Sequence, residues 1–166
     1  IQVLDTDPTV GGIPGSTWAS GGALNTARSS LGGAGASNTA GLVFGGLNAD
    51  ATGAVAITEA YNGTSWTEVA EVVVALSASA GGAGTATDGL ILTKNGTPPG
   101  AATCQFWNGT SFTEVADLSV NRYANTGGGA NSTNAISIGG YGPPSAVATS
   151  TEEWTAGNFQ IKTLTT

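Results

Sequence analysis

The sequence predicts an all-β protein built from repeated four-stranded antiparallel units. Glycine makes up 27 of the 166 residues, and an aromatic residue recurs at nearly constant spacing along the chain. Because glycine is costly inside helices and useful in tight turns, this composition favours many short strands over a helical bundle. The recurring aromatics are Trp18, Trp66, Phe112 and Phe159, at intervals of 48, 46 and 47 residues.

The repeated segments set the domain organisation. An alignment of the glycine clusters, apolar runs and aromatic turns divides the chain into a lead-in, residues 1–17, and three units. Such self-similarity at a fixed period is typical of repeat architectures, in which each unit is one supersecondary structure. The units span about residues 18–70, 71–117 and 118–166.

Each unit opens with a glycine cluster and then an apolar run. The clusters predict inner strands with small side chains, as expected where strands crowd around a central axis. The apolar runs predict buried second strands, of which the first and third leave through Gly45-Gly46 and Gly139-Gly140. The clusters lie at residues 32–35, 81–84 and 127–130, and the runs at 42–46, 90–94 and 136–140.

The second half of each unit predicts a hairpin. In the third strand Ile57, Glu59 and Tyr61 alternate onto one face, and Asn62-Gly63 supplies the tight turn, as Asn108-Gly109 does in the second unit. The fourth strands are predicted at residues 66–70, 112–116 and 159–163, and a further leading outer strand at residues 15–20.

This pattern resembles the kelch repeat of β-propellers, in which an arginine precedes an apolar strand ending in Gly-Gly, followed by a tyrosine and then a tryptophan. The first unit has Arg28, Gly45-Gly46, Tyr61 and Trp66, and the third has Arg122 and Gly139-Gly140. The second departs, with Leu76 in place of the arginine and Thr93-Lys94 in place of Gly-Gly. Propellers close with about four to eight blades, so three units predict part of a larger or oligomeric propeller.

The residues of individual segments indicate a narrower group of kelch-like proteins. Segments such as residues 59–66 and 24–28 resemble the Gly/Ala/Thr-rich kelch-like proteins of marine bacteriophages. That resemblance implies a virion component of a tail, fibre or other appendage, with other virion proteins, copies of itself or a host surface glycan as partners. The alternative is a secreted or surface-bound bacterial adhesin that binds carbohydrate.

Composition restricts the chemistry. The net charge of −7 provides no basic surface for nucleic acid, and no apolar run is long enough to span a bilayer. Some kelch propellers are copper oxidases whose metal is held by histidine and tyrosine, but this chain has no histidine. We therefore expect no enzyme activity, no catalytic residue, no metal site and no cofactor, and neither nucleic-acid binding nor membrane insertion.

Residues that recur in every unit are interpreted as structural. Glu59, Gln105 and Glu152 share one repeat position, and the adjacent carboxylates Glu152 and Glu153 point to opposite sheet faces. Arg28 and Arg122 are predicted to bond carbonyls of a neighbouring blade. Cys104 is expected to be a small buried side chain. The paired aromatics are expected to pack between blades, the alternative being a sugar-stacking platform; they are Tyr61, Trp66, Trp107, Phe112, Trp154 and Phe159.

Partner contacts are predicted instead in the connections between second and third strands, because these differ from unit to unit. They span residues 47–53, 95–100 and 141–145. The candidate contact residues for a partner protein or a glycan are Asn48, Asp50, Asn95, Pro98, Pro99, Tyr141, Pro143 and Pro144.

Overall fold

The computed structural model describes residues 18–76, 81–92, 104–142 and 146–157, and within these ranges the chain forms antiparallel β-strands and no helix. The strands form three sheets that follow one another along the chain, plus one two-stranded hairpin. The prediction of an all-β protein with repeated antiparallel sheets is confirmed.

The first sheet has four strands in sequence order. They are β1 (Gly32–Ser37), β2 (Ala40–Phe44), β3 (Thr58–Tyr61) and β4 (Trp66–Val69). The Asn62 carboxamide oxygen accepts hydrogen bonds from the backbone N–H groups of Thr64 and Ser65, both at 2.9 Å, and Gly63 has a φ of +95°. The predicted Asn-Gly turn is therefore present, with the asparagine side chain closing it and the glycine taking the positive φ.

The second sheet repeats this arrangement. Its strands are β5 (Gly81–Gly84), β6 (Gly89–Leu92), β7 (Cys104–Trp107) and β8 (Phe112–Val115). Cys104 is 1% exposed, which confirms it as a buried side chain. Asn108 closes the β7–β8 turn as Asn62 does in the first sheet, accepting from the N–H groups of Thr110 and Ser111.

The third sheet has three strands among the described residues, in the order β13-β10-β9. The strands of this part of the chain are β9 (Thr126–Asn131), β10 (Asn134–Ile138), β11 (Tyr141–Gly142), β12 (Ala146–Val147) and β13 (Thr151–Thr155). Strands β11 and β12 pair as a small hairpin between β10 and β13. The predicted fourth strand, residues 159–163, lies outside the described residues.

The inner strands β1, β5 and β9 lie side by side with their backbones almost in contact. A Cβ atom built on Gly82 would lie 2.0 Å from the carbonyl oxygen of Gly33, and one built on Gly127 would lie 2.6 Å from the backbone nitrogen of Gly82. No side chain fits at such distances, so packing requires glycine at Gly82 and Gly127 of the predicted small-residue strands.

Two apolar cores lie between successive sheets. The face that each sheet turns toward the next sheet along the chain is called its forward face, and the opposite one its rear face. Leu42 and Phe44 on the forward face of the first sheet pack with Ile91 and Trp107 on the rear face of the second. The second core joins the second and third sheets in the same way. It contains Ala83, Leu90, Leu92, Cys104 and Ala135.

The leading outer strand predicted at residues 15–20 is not formed in its described part, Trp18–Ser20, where Trp18 is fully exposed. The segment that follows is held by side chains. Trp66 donates from Nε1 to the carbonyl of Gly22 at 3.1 Å, and Asn25 donates its backbone N–H to Glu59 at 2.7 Å. These bonds hold the segment against the first sheet without a strand ladder.

Candidate functional site

The predicted contact loops occupy equivalent places in the first and third sheets. Leu47 exchanges backbone hydrogen bonds with Ser29 at 2.8 and 3.0 Å, and Tyr141 does the same with Tyr123 at 2.9 and 3.0 Å. Each loop therefore starts from the same backbone frame and then diverges. We call the end of the sheets that carries these β2–β3 and β10–β13 connections the loop end.

The loop of the first sheet is folded around Asn48. Its carboxamide oxygen accepts from the backbone N–H groups of Thr52 and Gly53, both at 2.9 Å. The side chain of this predicted contact residue is thus committed to shaping the loop. Asp50 is exposed and accepts from the Thr52 hydroxyl at 2.8 Å, and these hydrogen bonds from Thr52 hold the pKa of its carboxyl below the ordinary value.

The loop of the third sheet is more apolar. The Tyr141 ring is 42% exposed and stacks on Tyr123 with 5.5 Å between ring centroids. Val147, which pairs with Tyr141 across the hairpin, is 74% exposed. The sequence pattern did not identify Tyr123, although its place directly after Arg122 corresponds to that of Ser29 in the first unit. Two stacked rings and a valine form an exposed apolar surface at the loop end.

The remaining predicted contact residues, Asn95, Pro98, Pro99, Pro143 and Pro144, lie outside the described residues. Of the predicted set, the structure therefore places Asn48, Asp50 and Tyr141 at the loop end, the first two in one loop and the third in another.

Below the loop end, a buried ion pair holds the first sheet together. Arg28 donates from Nη2 to Glu59 at 2.9 Å, with both side chains fully buried, and from Nη1 to the carbonyl of Gly45 at 3.1 Å. The predicted bonds to a neighbouring blade's carbonyls are wrong in one respect: these acceptors belong to the arginine's own sheet. The reason is that residues 24–28 run along that sheet and bring the guanidinium over its β2–β3 connection.

The third sheet repeats the pair. Arg122 donates to Glu152 and, from Nη1, to the carbonyl of Ser150 at 2.7 Å. Ser119 donates its N–H to the other oxygen of Glu152 at 2.6 Å. Partial burial alone would raise the pKa of the Glu152 carboxyl, but the Ser119 hydrogen bonds and the Arg122 charge outweigh it and lower that pKa.

The second sheet has an uncharged version of this contact. Leu76 stands where the other units have arginine and is 1% exposed, while Gln105 stands where they have glutamate and is fully buried. The Gln105 side chain accepts the N–H of Val73 at 2.8 Å, as the glutamates accept from their own preceding segments. The second unit therefore lacks both the acidic and the basic side chain of the ion pair. This pairing of Arg with Glu and of Leu with Gln was visible in the aligned sequence.

The paired aromatics pack as predicted where a neighbouring sheet is described. Trp107 is 1% exposed between the first and second sheets, lies 4.6 Å from Phe112 and donates from Nε1 to the carbonyl of Ala86 at 2.9 Å. Trp154 packs against the second core. Tyr61 and Trp66 are only half-buried on the rear face of the first sheet, and Phe159 lies outside the described residues.

An open groove of about 500 Å³ runs along the inner strands. It is lined mostly by glycine backbone, with Leu42, Val43 and Trp66 as the largest side chains and no charged residue among its described lining. In the part of the chain that the structure describes, no three acidic, cysteine or histidine residues come close enough together to hold a metal ion. Those residues contain no helix that is long and apolar enough to cross a membrane.

No protein-family model matches the sequence, and no curated protein sequence is significantly similar to it. Solved structures with a similar fold exist, among them one described as "Structure of YjhT", with a TM-score of 0.63 and 11% sequence identity. The likeness is one of fold alone. It covers 83% of this chain and 46% of the other, so this chain spans about half the length of the structure that it matches.

Proposed function

We propose that this protein is a non-catalytic structural protein, a set of kelch-like propeller blades that holds the loop end for assembly or attachment in a virion appendage such as a tail, fibre or decoration. The virion assignment rests on the resemblance of the repeats to the kelch-like proteins of marine bacteriophages. The blade assignment is supported by the four-stranded sheets with glycine inner strands and the Gly-Gly exits at Gly45 and Gly139.

One observation carries the attachment role: in the first and third sheets the same frame supports loops that differ. The Arg28–Glu59 and Arg122–Glu152 pairs repeat the same bonds beneath the loop end. Above them, one loop presents Asp50 and the other presents Tyr141 and Val147. A rigid scaffold that displays varied loops is a common design for recognition, since it lowers the entropy lost on binding.

The exposed Tyr123–Tyr141 stack favours a second candidate function, a carbohydrate-binding adhesin that is secreted or held at a bacterial surface. Aromatic rings give large contact areas with a polar tip, which suits the mixed faces of sugars. Here the Tyr141 ring is held by its partner at 5.5 Å and remains 42% exposed.

Two measurements distinguish the two proposed functions. Mass spectrometry and immunogold labelling of purified virions from the source should detect the chain if it is an appendage protein. A glycan array should detect specific sugar binding if it is an adhesin. Detection in virions without glycan binding supports the first function, and glycan binding by a chain absent from virions supports the second.

The role of the loop end is tested by Tyr141→Ser combined with Val147→Ser. Attachment or assembly should fall at least about tenfold, because the variant removes two exposed apolar side chains from that end. Thr110→Ala is the matched control, since its exposed side chain lies in the β7–β8 turn at the opposite end of the sheets. Equal attachment by both variants would show that the loop end is not the contact surface.

A further inference from the structure

Two sheet faces have no neighbouring sheet among the described residues: the forward face of the third sheet and the rear face of the first. Ile138 on that forward face is 45% exposed. Its equivalents, Phe44 and Leu92, are each 1% exposed because the next sheet covers them. The third sheet thus carries an apolar residue at a position that the other two sheets bury.

The backbone beside Ile138 keeps the shape of a covered junction. Gly45 and Gly139 have nearly the same φ, +62° and +61°. A Cβ atom on Gly45 would lie 2.6 Å from the Cβ of Leu76, whereas one on Gly139 would meet, among the described residues, only the carbonyl oxygen of Ala148, at 3.5 Å. Among the described residues, nothing fills beside Gly139 the space that Leu76 fills between the first two sheets.

The rear face of the first sheet carries the complementary set. Val43 lies where the second sheet has Ile91, and Tyr61 and Trp66 lie where it has Trp107 and Phe112. Ile91 and Trp107 are each 1% exposed, packed against the preceding sheet. Their counterparts on the first sheet are only half-buried.

We propose that the forward face of one chain docks on the rear face of a second copy, and the reverse, so that two copies close a six-sheet ring. Both internal junctions already join a forward face to a rear face, and the new junction continues the same interface. The number of chains follows from the number of blades that a closed ring requires. Propellers have about four to eight blades, so two copies of this three-unit, 166-residue segment fall in this range and three copies would exceed it.

The junction between the first and second sheets shows which backbone contacts the new junction makes. There, Leu76 donates its N–H to the carbonyl of Val55 at 3.1 Å and accepts from the N–H of Gly46 at 2.8 Å. Arg28 of the second copy occupies the repeat position of Leu76, so its backbone N–H donates to the carbonyl of Ala148 and its carbonyl accepts from Gly140. These bonds leave the Arg28 side chain in its own sheet.

Two polar differences between equivalent positions of the sheets also complement each other across the new junction. The forward-face position of Ala60 and Phe106 holds an exposed carboxylate, Glu153, in the third sheet. The facing aromatic position holds tryptophan at the internal junctions but Tyr61 at the rear face of the first sheet. The tyrosine hydroxyl supplies a hydrogen-bond donor for that carboxylate.

The test begins with the mass of the 166-residue chain in solution, measured by analytical ultracentrifugation. We expect twice the 16.1 kDa of one chain, with no larger species as concentration rises, because a closed ring has no free face left. Ile138→Asp and Val43→Asp should each raise the dissociation constant by on the order of 100-fold or more, since each places a charge in both interfaces of the ring. Thr110→Asp, exposed in the β7–β8 turn of the middle sheet, is the control and should leave the dimer intact.

Mixing the two variants distinguishes this arrangement from others. A dimer of the Ile138→Asp and Val43→Asp chains has one unmodified interface, so the mixture should form dimers at concentrations where each variant alone is monomeric. Circular dichroism and urea unfolding establish that each variant is folded. A monomeric unmodified chain, growth into filaments, sensitivity to only one of the two variants, or no recovery on mixing would each overturn the proposal. A monomer would indicate that other blades or another protein cover these faces.

Discussion

Arg28 and Glu59 form an ion pair in which both side chains are fully buried, and the equivalent positions of the next unit hold Leu76 and Gln105. One chain thus contains both a charged and an uncharged pair of buried side chains at equivalent repeat positions. Burying an ion pair is often no more stable than burying neutral side chains, but breaking one leaves an uncompensated charge.

Replacement of Arg28 by leucine alone should therefore lower the free energy of unfolding by about 3–5 kcal/mol, because Glu59 would remain buried without its partner. The double variant Arg28→Leu/Glu59→Gln should recover most of that loss, since it copies the pair found in the second unit. Urea unfolding of both variants measures the difference. A double variant no more stable than the single one would contradict this account.

A second prediction concerns the inner strands. Gly82→Ala should destabilise the protein by about 1–3 kcal/mol, because its Cβ would lie 2.0 Å from the carbonyl oxygen of Gly33 and a backbone atom cannot rotate away.

Gly128→Ala is the control from a neighbouring inner strand. Its Cβ would meet the Ile136 side chain at 3.5 Å, an ordinary contact, so its cost should stay within about 0.5 kcal/mol. Thermal and urea unfolding compare the two. Similar losses at both positions would mean that the close backbone approach does not limit these strands.

A third prediction uses two equivalent aromatics. Trp107→Ala should cost about 3–5 kcal/mol, because its ring is 1% exposed between two sheets. Tyr61→Ala, at the same repeat position on the open rear face, should cost clearly less in the monomer. The comparison is made by urea unfolding in the Ile138→Asp background, which keeps the chain monomeric. Equal losses would show that burial between sheets does not set the contribution of this position.

The fourth prediction is a pH dependence. The folded-state pKa of Glu152 lies below its ordinary value of 4.5, so its contribution to stability is present above that pH and is lost as pH falls through the folded pKa. Urea midpoints measured from about pH 7 to about pH 3 should fall less steeply for Glu152→Gln than for the unmodified chain. Parallel curves would exclude Glu152 as a source of the acid sensitivity.

The sequence predicted the strands, turns and inner-strand crowding well because each has a local signal. The Asn62-Gly63 turn and the glycine cluster at residues 32–35 are set by backbone geometry that few residues permit. The acceptors of Arg28 were predicted less well, since a side chain's partner depends on how the preceding segment crosses the sheet. The strand predicted at residues 15–20 is absent in its described part, Trp18–Ser20, and the segment that follows is held by side-chain bonds of Trp66 and Glu59 instead of a strand ladder.

The structure places the β2–β3 and β10–β13 connections at one end of the sheets, and their role in partner contact stays a prediction. Loop variation identified them as candidates. It could not show that Asn48 is used to shape its own loop, or that Tyr141 stacks on Tyr123. Both depend on distances between residues that no repeat alignment contains.

The contact between Gly33 and Gly82 has a consequence for how such a protein changes over time. Because neighbouring inner strands meet through the peptide backbone, their separation does not depend on the size of any side chain. Units with different loops and outer strands can therefore meet their neighbours at the same separation. The tolerance for new loops comes from strands in which positions such as Gly82 and Gly127 accept no larger residue.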